Sequence, residues 1–230
     1  MSDPATTRRE DPHRAHPVAE AGAPLARAKA AMIMLHGRGG SAEDILALAD
    51  ALAQPDFAYL APQAAGHSWY PYPFTAPIER NEPWLSSALR VIDRSLERLG
   101  DAGFPFERVA LLGFSQGACL GLEYAARHAR RYGGVIGLSG GLIGPEDTRR
   151  DYPGSLAGTP LFLGCSDIDP HIPVARVRET TAVLRRLGAA VTERIYPGMG
   201  HAINEDEISF VRDLLASLVQ DPVRPGSDTI

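Results

Sequence analysis

The chain is poor in several features that mark whole classes of protein. Two cysteines, Cys119 and Cys165, in 230 residues exclude a small disulfide-stapled scaffold. Both stand in apolar stretches that read as buried helix and strand, as inert core thiols in a reducing compartment would. No apolar run approaches the roughly 20 residues that cross a bilayer. The first 29 residues, rich in Pro, Ala, Arg and Asp, lack the continuous apolar core of a signal peptide. The expectation is a cytoplasmic protein without stable membrane insertion. Lys and Arg number 23 against 28 Asp and Glu, a formal net charge of −5, so the footprint for nucleic acid or an anionic membrane is missing. No His, Cys or acidic residues fall at a close metal-ligand spacing such as His-Glu-x-x-His, and no metal is expected.

What is present suits one compact soluble domain: 44% hydrophobic and 22% charged residues over a length that one α/β core can fill. Strands are predicted at 30–35, 57–60, 109–112, 135–138, 160–163 and 191–196. Helices are predicted from 41 and over 84–99, 118–128, 174–187 and 205–219. Ser41 and Asp44 have the spacing of a capping box, which fixes the start of the first helix. Strands alternating with helices imply a mainly parallel sheet covered on both faces, with ligands bound beyond the carboxyl ends of the strands. Residues 1–29 are expected to be a flexible tail, 30–219 the domain, and 220–230 a C-terminal tail.

Gly113-Phe114-Ser115-Gln116-Gly117 lies between a predicted strand and a predicted helix. That is the setting of the G-x-S-x-G nucleophile elbow, in which glycines two residues before and after let neighbouring backbone approach a serine held on a strained turn. A serine hydroxyl is a poor nucleophile near neutral pH, so a histidine must take its proton and a carboxylate must orient that histidine. In this fold the chain order is Ser, then Asp or Glu, then His.

Of the seven histidines, His128, His171 and His201 follow Ser115. His201 is favoured because Gly198-Met199-Gly200 places it in a glycine-rich loop after the last strand. For the acid, Asp167 and Asp169 compete in one loop. Pro170 holds Asp169 extended and Ile172-Pro173 leads into the next helix, which favours Asp169, with Asp167 read as a capping residue. The oxyanion hole is assigned to the backbone N–H groups of Gln116, the residue after the nucleophile, and of Arg38 in the glycine loop after the first long strand. His36 in that loop is read as structural. The Arg38 side chain meeting an acidic substrate is the lesser alternative. In the aromatic loop from 67 to 84, Trp69 and Tyr70 are candidates to wall an acyl or aryl pocket, packing beneath the loop being the other reading.

These residues resemble the phospholipase/carboxylesterase group of α/β-hydrolases, which includes the acyl-protein thioesterases. The marks are His36-Gly37-x-Gly39, Gly113-Phe114-Ser115-Gln116-Gly117-Ala118, Asp169-Pro170-x-Ile172-Pro173 and Gly200-His201, and the similarity runs from about residue 30 to 219. The resemblance implies a compact α/β-hydrolase without a large lid. It also implies action, without a cofactor, on a small-molecule ester of short to medium acyl chain, with thioesters and lysophospholipids as neighbouring substrates. The 67–84 loop does not align with the thioesterase members. Two alternatives stand beside this reading: a dienelactone-hydrolase-like enzyme, against which Ser115 argues because such enzymes use cysteine, and a non-catalytic small-molecule receptor on the same fold. A homodimer is left open.

Overall fold

The computed structural model describes residues 11–220. Seven strands form one sheet in the order β1-β3-β2-β4-β5-β6-β7: β1 (Val18–Gly22), β2 (Ala30–Leu35), β3 (Phe57–Pro62), β4 (Val109–Phe114), β5 (Gly134–Leu138), β6 (Pro160–Ser166) and β7 (Ala190–Tyr196). All neighbouring pairs are parallel except β1 with β3. Five α-helices cover the faces: α1 (Ala42–Leu52), α2 (Trp84–Asp101), α3 (Gln116–Arg127), α4 (Val174–Arg186) and α5 (Glu205–Gln220).

The five inner strands β2 to β6 read as largely apolar runs because both of their faces are buried. In β2, Ala31, Ile33 and Leu35 join the core under α2, α3 and α4, while Ala30, Met32 and Met34 join the one under α1 and α5. The expected capping box is present, with Ser41 N–H donating to Asp44 and Asp44 N–H to Ser41 Oγ. Every other predicted element is found within a few residues of its expected bounds. Residues 139–159 form no helix that could serve as a lid. No helix among the described residues is long and apolar enough to cross a membrane.

The expectation of a flexible stretch through residue 29 is corrected for residues 11–29. Strand β1 pairs along its length with β3, Val18 opposite Pro62 and Gly22 opposite Ala58. Its sequence Val-Ala-Glu-Ala-Gly has little apolar signal because it is a half-exposed edge strand, formed by tertiary pairing rather than by propensity. Before it, His13 is buried between the rings of Trp69 and Trp84. Its tautomer follows from its partners. Nδ1 accepts the Ala65 N–H at 2.9 Å, so Nε2 carries the proton and donates to the Trp69 carbonyl at 3.0 Å. The first 10 residues of the tail and those after Gln220 lie outside the described residues.

Burial of the His13 ring pulls its pKa down to about 4, whereas an unfolded histidine titrates near ~6.5. Between these values the unfolded chain binds more protons, so stability is lost as pH falls through this window, by on the order of 3 kcal/mol from this group. Melting curves recorded from pH 7 to 4 should show a steep fall in Tm for the native chain. His13→Ala should start lower and fall less steeply. Parallel slopes in the two proteins would contradict this role for His13.

Candidate functional site

The parallel strands deliver the predicted site residues to one edge. β4 ends at Phe114 and leads into Ser115, which has φ 54° and ψ −119° as the residue before α3. The turn is sharp enough that a Cβ on Gly113 would overlap the Gly117 carbonyl, and one on Gly117 would overlap the Leu35 carbonyl of β2. Both glycines of the motif are therefore required by close backbone approach. The Ser115 N–H donates to the Leu138 carbonyl at 2.9 Å, which ties the turn to β5.

His201 follows β7 and reaches the serine: its Nε2 lies 2.8 Å from Ser115 Oγ and its Nδ1 lies 2.7 Å from Asp169 Oδ2. Because a carboxylate can only accept, Nδ1 is the protonated nitrogen, and Nε2 faces the serine with its lone pair. The Asp169 side chain is fully buried. Burial works to raise its pKa and is outweighed by the His201 hydrogen bond and by N–H groups of His171 and Ile172, so the carboxyl is held below its usual value. Its Oδ1 takes those two N–H groups at 2.8 and 3.0 Å.

Asp167 does not touch His201. It accepts the Gly198 N–H at 2.8 Å, and Ser166 Oγ accepts the Gly200 N–H at 2.9 Å. Both glycines have positive φ, 68° and 77°. Asp167 thus braces the loop that carries the histidine rather than capping α4. The other side of His201 is packed by Phe114, with ring centroids 4.9 Å apart, and by His171, edge-on at 4.8 Å.

The two residues proposed to supply oxyanion-hole N–H groups have a second task that their sequence did not announce. Arg38 donates from Nη1 to Ser68 Oγ and the Pro71 carbonyl, and from Nη2 to the carbonyls of Tyr70 and Tyr72, all at 2.9 to 3.0 Å. Gln116 accepts the Trp69 N–H at 2.9 Å and donates to the Tyr70 carbonyl at 2.8 Å. Together they saturate the backbone of a loop that has no strand partner. Among the described residues, no protein acceptor engages the backbone N–H of Arg38 or of Gln116. An acidic-substrate role for the Arg38 side chain is displaced by its four loop contacts. A signal for them was present: a loop dense in proline and aromatics, without regular structure, needs donors from elsewhere for its carbonyls.

The structure separates the two aromatic candidates. Trp69 is fully buried, its Nε1 donates to the His36 carbonyl at 2.9 Å, and its ring packs on His36 at 5.0 Å. It supports the loop from beneath and does not face the cavity, because the indole N–H finds its acceptor only in the core. Tyr70 does line the cavity, whose volume is about 600 Å³ and whose wall includes Pro71, Pro73, Phe74, Phe114 and Ile172 around Ser115. His36 is structural as expected: Nε2 accepts the Ala64 N–H at 3.1 Å and Nδ1 donates to the Gly37 carbonyl at 2.7 Å, while burial lowers its pKa.

Comparison with known proteins fits this geometry. The family described as Phospholipase/Carboxylesterase matches residues 16–219. A protein of Candida albicans named acyl-protein thioesterase 1 is 26% identical over 216 residues, covering 84% of this chain and 94% of that protein. One of the same name from Gibberella zeae is 32% identical over 124 residues, and there the chain spans only 50% of the relative's length. Among solved structures, a phospholipase/carboxylesterase from Dyadobacter fermentans has a TM-score of 0.85 at 44% identity, over 88% of this chain and 97% of that one. Esterase PE8 has a TM-score of 0.71 at 25% identity, over 88% and 99%. With a family match across nearly all the described residues and a Ser115-His201-Asp169 constellation at the sheet's carboxyl edge, the chain belongs to the phospholipase/carboxylesterase family of α/β-hydrolases.

Proposed function

We propose that the protein is a serine carboxylesterase acting on small esters of short to medium acyl chain, with Ser115, His201 and Asp169 as its catalytic triad. The observation that carries this reading is the continuous hydrogen-bond chain from Ser115 Oγ through His201 to Asp169, with contacts of 2.8 and 2.7 Å, opening on an apolar cavity.

The reaction follows from these positions. Ser115 Oγ attacks the ester carbonyl carbon while His201 Nε2 takes the hydroxyl proton. Asp169 keeps the imidazole in the tautomer that can accept this proton and stabilises the imidazolium. The carbonyl oxygen becomes an oxyanion, met by the N–H groups of Arg38 and Gln116. Collapse of the tetrahedral species breaks the C–O bond, and the imidazolium returns its proton to the departing alcohol. Water, deprotonated by the same nitrogen, then attacks the acyl-serine and releases the acid. A thioester enters by the same route with a thiol as leaving group. Every step uses groups of this chain.

Arg38 is committed to the loop carbonyls, so among the described residues no free Lys or Arg at the cavity wall selects an acidic acyl group; the lining favours neutral, apolar ones. A volume of about 600 Å³ lies in the ordinary range for small-molecule sites. The dienelactone-type alternative with a cysteine nucleophile finds no support: both thiols are buried and burial pushes each up to about 12, which keeps them protonated. Two unpaired buried thiols suit the cytoplasm.

A panel of p-nitrophenyl esters graded by acyl length should show the highest kcat/KM at short to medium chains. Ser115→Ala should lose about 10⁴-fold or more while keeping its fold. An unreactive panel, or a Ser115→Ala variant retaining a tenth of the rate, would overturn the assignment.

The two aspartates should separate by kinetics. Asp169→Asn can stabilise the wrong histidine tautomer and should cost on the order of 10⁴-fold. Asp167→Asn leaves an amide oxygen able to accept the Gly198 N–H and should cost only a few-fold. The reverse ranking would move the triad acid.

Arg38→Ala keeps its backbone N–H but releases four contacts to the loop. KM for a medium-chain ester should rise about tenfold or more, as expected when several charge-assisted hydrogen bonds are lost, with kcat on the acetyl ester reduced much less. Equal loss of kcat on every ester would place the side chain in the chemistry instead.

A further inference from the structure

Behind the triad lies a pair of side chains that the mechanism above does not use. Asp169 Oδ2, which receives the His201 proton, is also 3.7 Å from Cys165 Sγ. Cys165 lies within β6 and is completely buried. Its thiol stays neutral because burial raises it to about 12, so it can only be a donor toward a carboxylate. A second acceptor, the Ile172 carbonyl, is farther at 3.9 Å and uncharged. The single S–H proton therefore goes to Oδ2.

On the far side of Cys165 stands Ser139, the residue after β5. The pairing of Leu138 with Gly164 sets Ser139 alongside Cys165, and its N–H donates to the Gly164 carbonyl at 2.7 Å. Its φ is 52°, its side chain is fully buried, and its hydroxyl has no hydrogen-bond partner among the described residues. The strand register places the Cys165 thiol beside this hydroxyl, which works to lower the thiol's pKa against the larger opposing effect of burial. A strained backbone and an unpaired buried hydroxyl each cost about 1–3 kcal/mol. Both fall on the one residue that the register sets beside Cys165.

We propose that Cys165, backed by Ser139, is a positioning residue for the reaction: its thiol holds Asp169 Oδ2 on His201 Nδ1 and draws charge from that oxygen, which lowers the proton affinity of the histidine. This rests on the triad assignment above. The direction follows from charge. A carboxylate oxygen that shares its charge with a second donor stabilises the imidazolium less, so removing the donor makes His201 more basic. The other titratable or charged groups around the pair are His171 against His201, Asp167 held by the Gly198 N–H, Glu207 packed over Gly164, and Arg38 across the cavity. None of them is altered in the variants below.

The test is the pH profile of kcat/KM for Cys165→Ala, Cys165→Ser and Ser139→Ala, with the low-field proton resonance of His201 Nδ1–H recorded on the same proteins. Cys165→Ala should move the acid limb upward by about half a pH unit and displace the resonance. Cys165→Ser, which restores a donor, should return both toward the native values, and Ser139→Ala should shift them in the same direction as Cys165→Ala by less. An acid limb and a resonance unmoved in Cys165→Ala overturn the proposal, whatever happens to Tm, because a packing role alone predicts lost stability without a shift. If Cys165→Ala does not fold, Ser139→Ala decides in the same way. A native protein that hydrolyses no ester while the resonance shifts as stated would count against the proposed function and leave this coupling standing.

Discussion

The approach of α3 to β2 governs the carboxyl edge of the sheet. With no side chain at Gly117, the first turn of the helix sits against the Leu35 and His36 carbonyls, and with none at Gly113 the strand can fold back onto that turn. Ser115 is left at φ 54° and ψ −119°, a conformation costing on the order of 1–3 kcal/mol that persists only because its surroundings over-determine it. That constraint presents Oγ to His201 at 2.8 Å. It also puts the Gln116 N–H at the exposed start of a helix, where no backbone carbonyl can reach it. A preorganised donor of this kind stabilises developing charge without reorganising at the moment of reaction.

The same two residues proposed to face the oxyanion with their amides hold the cavity wall with their side chains. Six hydrogen bonds of 3.0 Å or less link Arg38 and Gln116 to residues 68–72. From beneath, Trp69 is clasped between His36 and His13, and His13 bonds the loop at both Trp69 and Ala65. The wall is therefore anchored from the active site on one side and from the N-terminal segment on the other. The shape of the cavity and the placement of the two amides are two consequences of one network, so a change at the Arg38 side chain reaches the cavity wall without touching Ser115.

Most of this was legible in the sequence where the signal is local. Doubly buried strands announce themselves as apolar runs, and the elbow by glycines that backbone contact makes obligatory. Pro170 marked the loop of Asp169, and Gly198 and Gly200, at φ 68° and 77°, marked the loop that carries His201. What escaped depends on partners distant in the chain. Strand β1 exists because β3 offers an edge, not because Val-Ala-Glu-Ala-Gly prefers to extend. Trp69 and Tyr70 are adjacent and chemically alike, and only the position of the His36 carbonyl sends one into the core and the other to the cavity. A substrate anion stayed open as the lesser alternative for the Arg38 side chain because the loop carbonyls that claim it lie more than 30 residues away.

A crystal structure of the protein inactivated by an alkyl phosphonate tests most directly the proposal that the Ser115 turn fixes nucleophile and oxyanion donors together, since the tetrahedral phosphorus imitates the reacting carbon. The expected adduct has phosphorus bonded to Ser115 Oγ and the phosphonyl oxygen within about 3 Å of the backbone nitrogens of both Arg38 and Gln116. The alkyl group should lie against Tyr70, Pro71 and Phe74, with the turn at Ser115 unchanged. An adduct on another residue, or a phosphonyl oxygen turned away from either nitrogen, would contradict it.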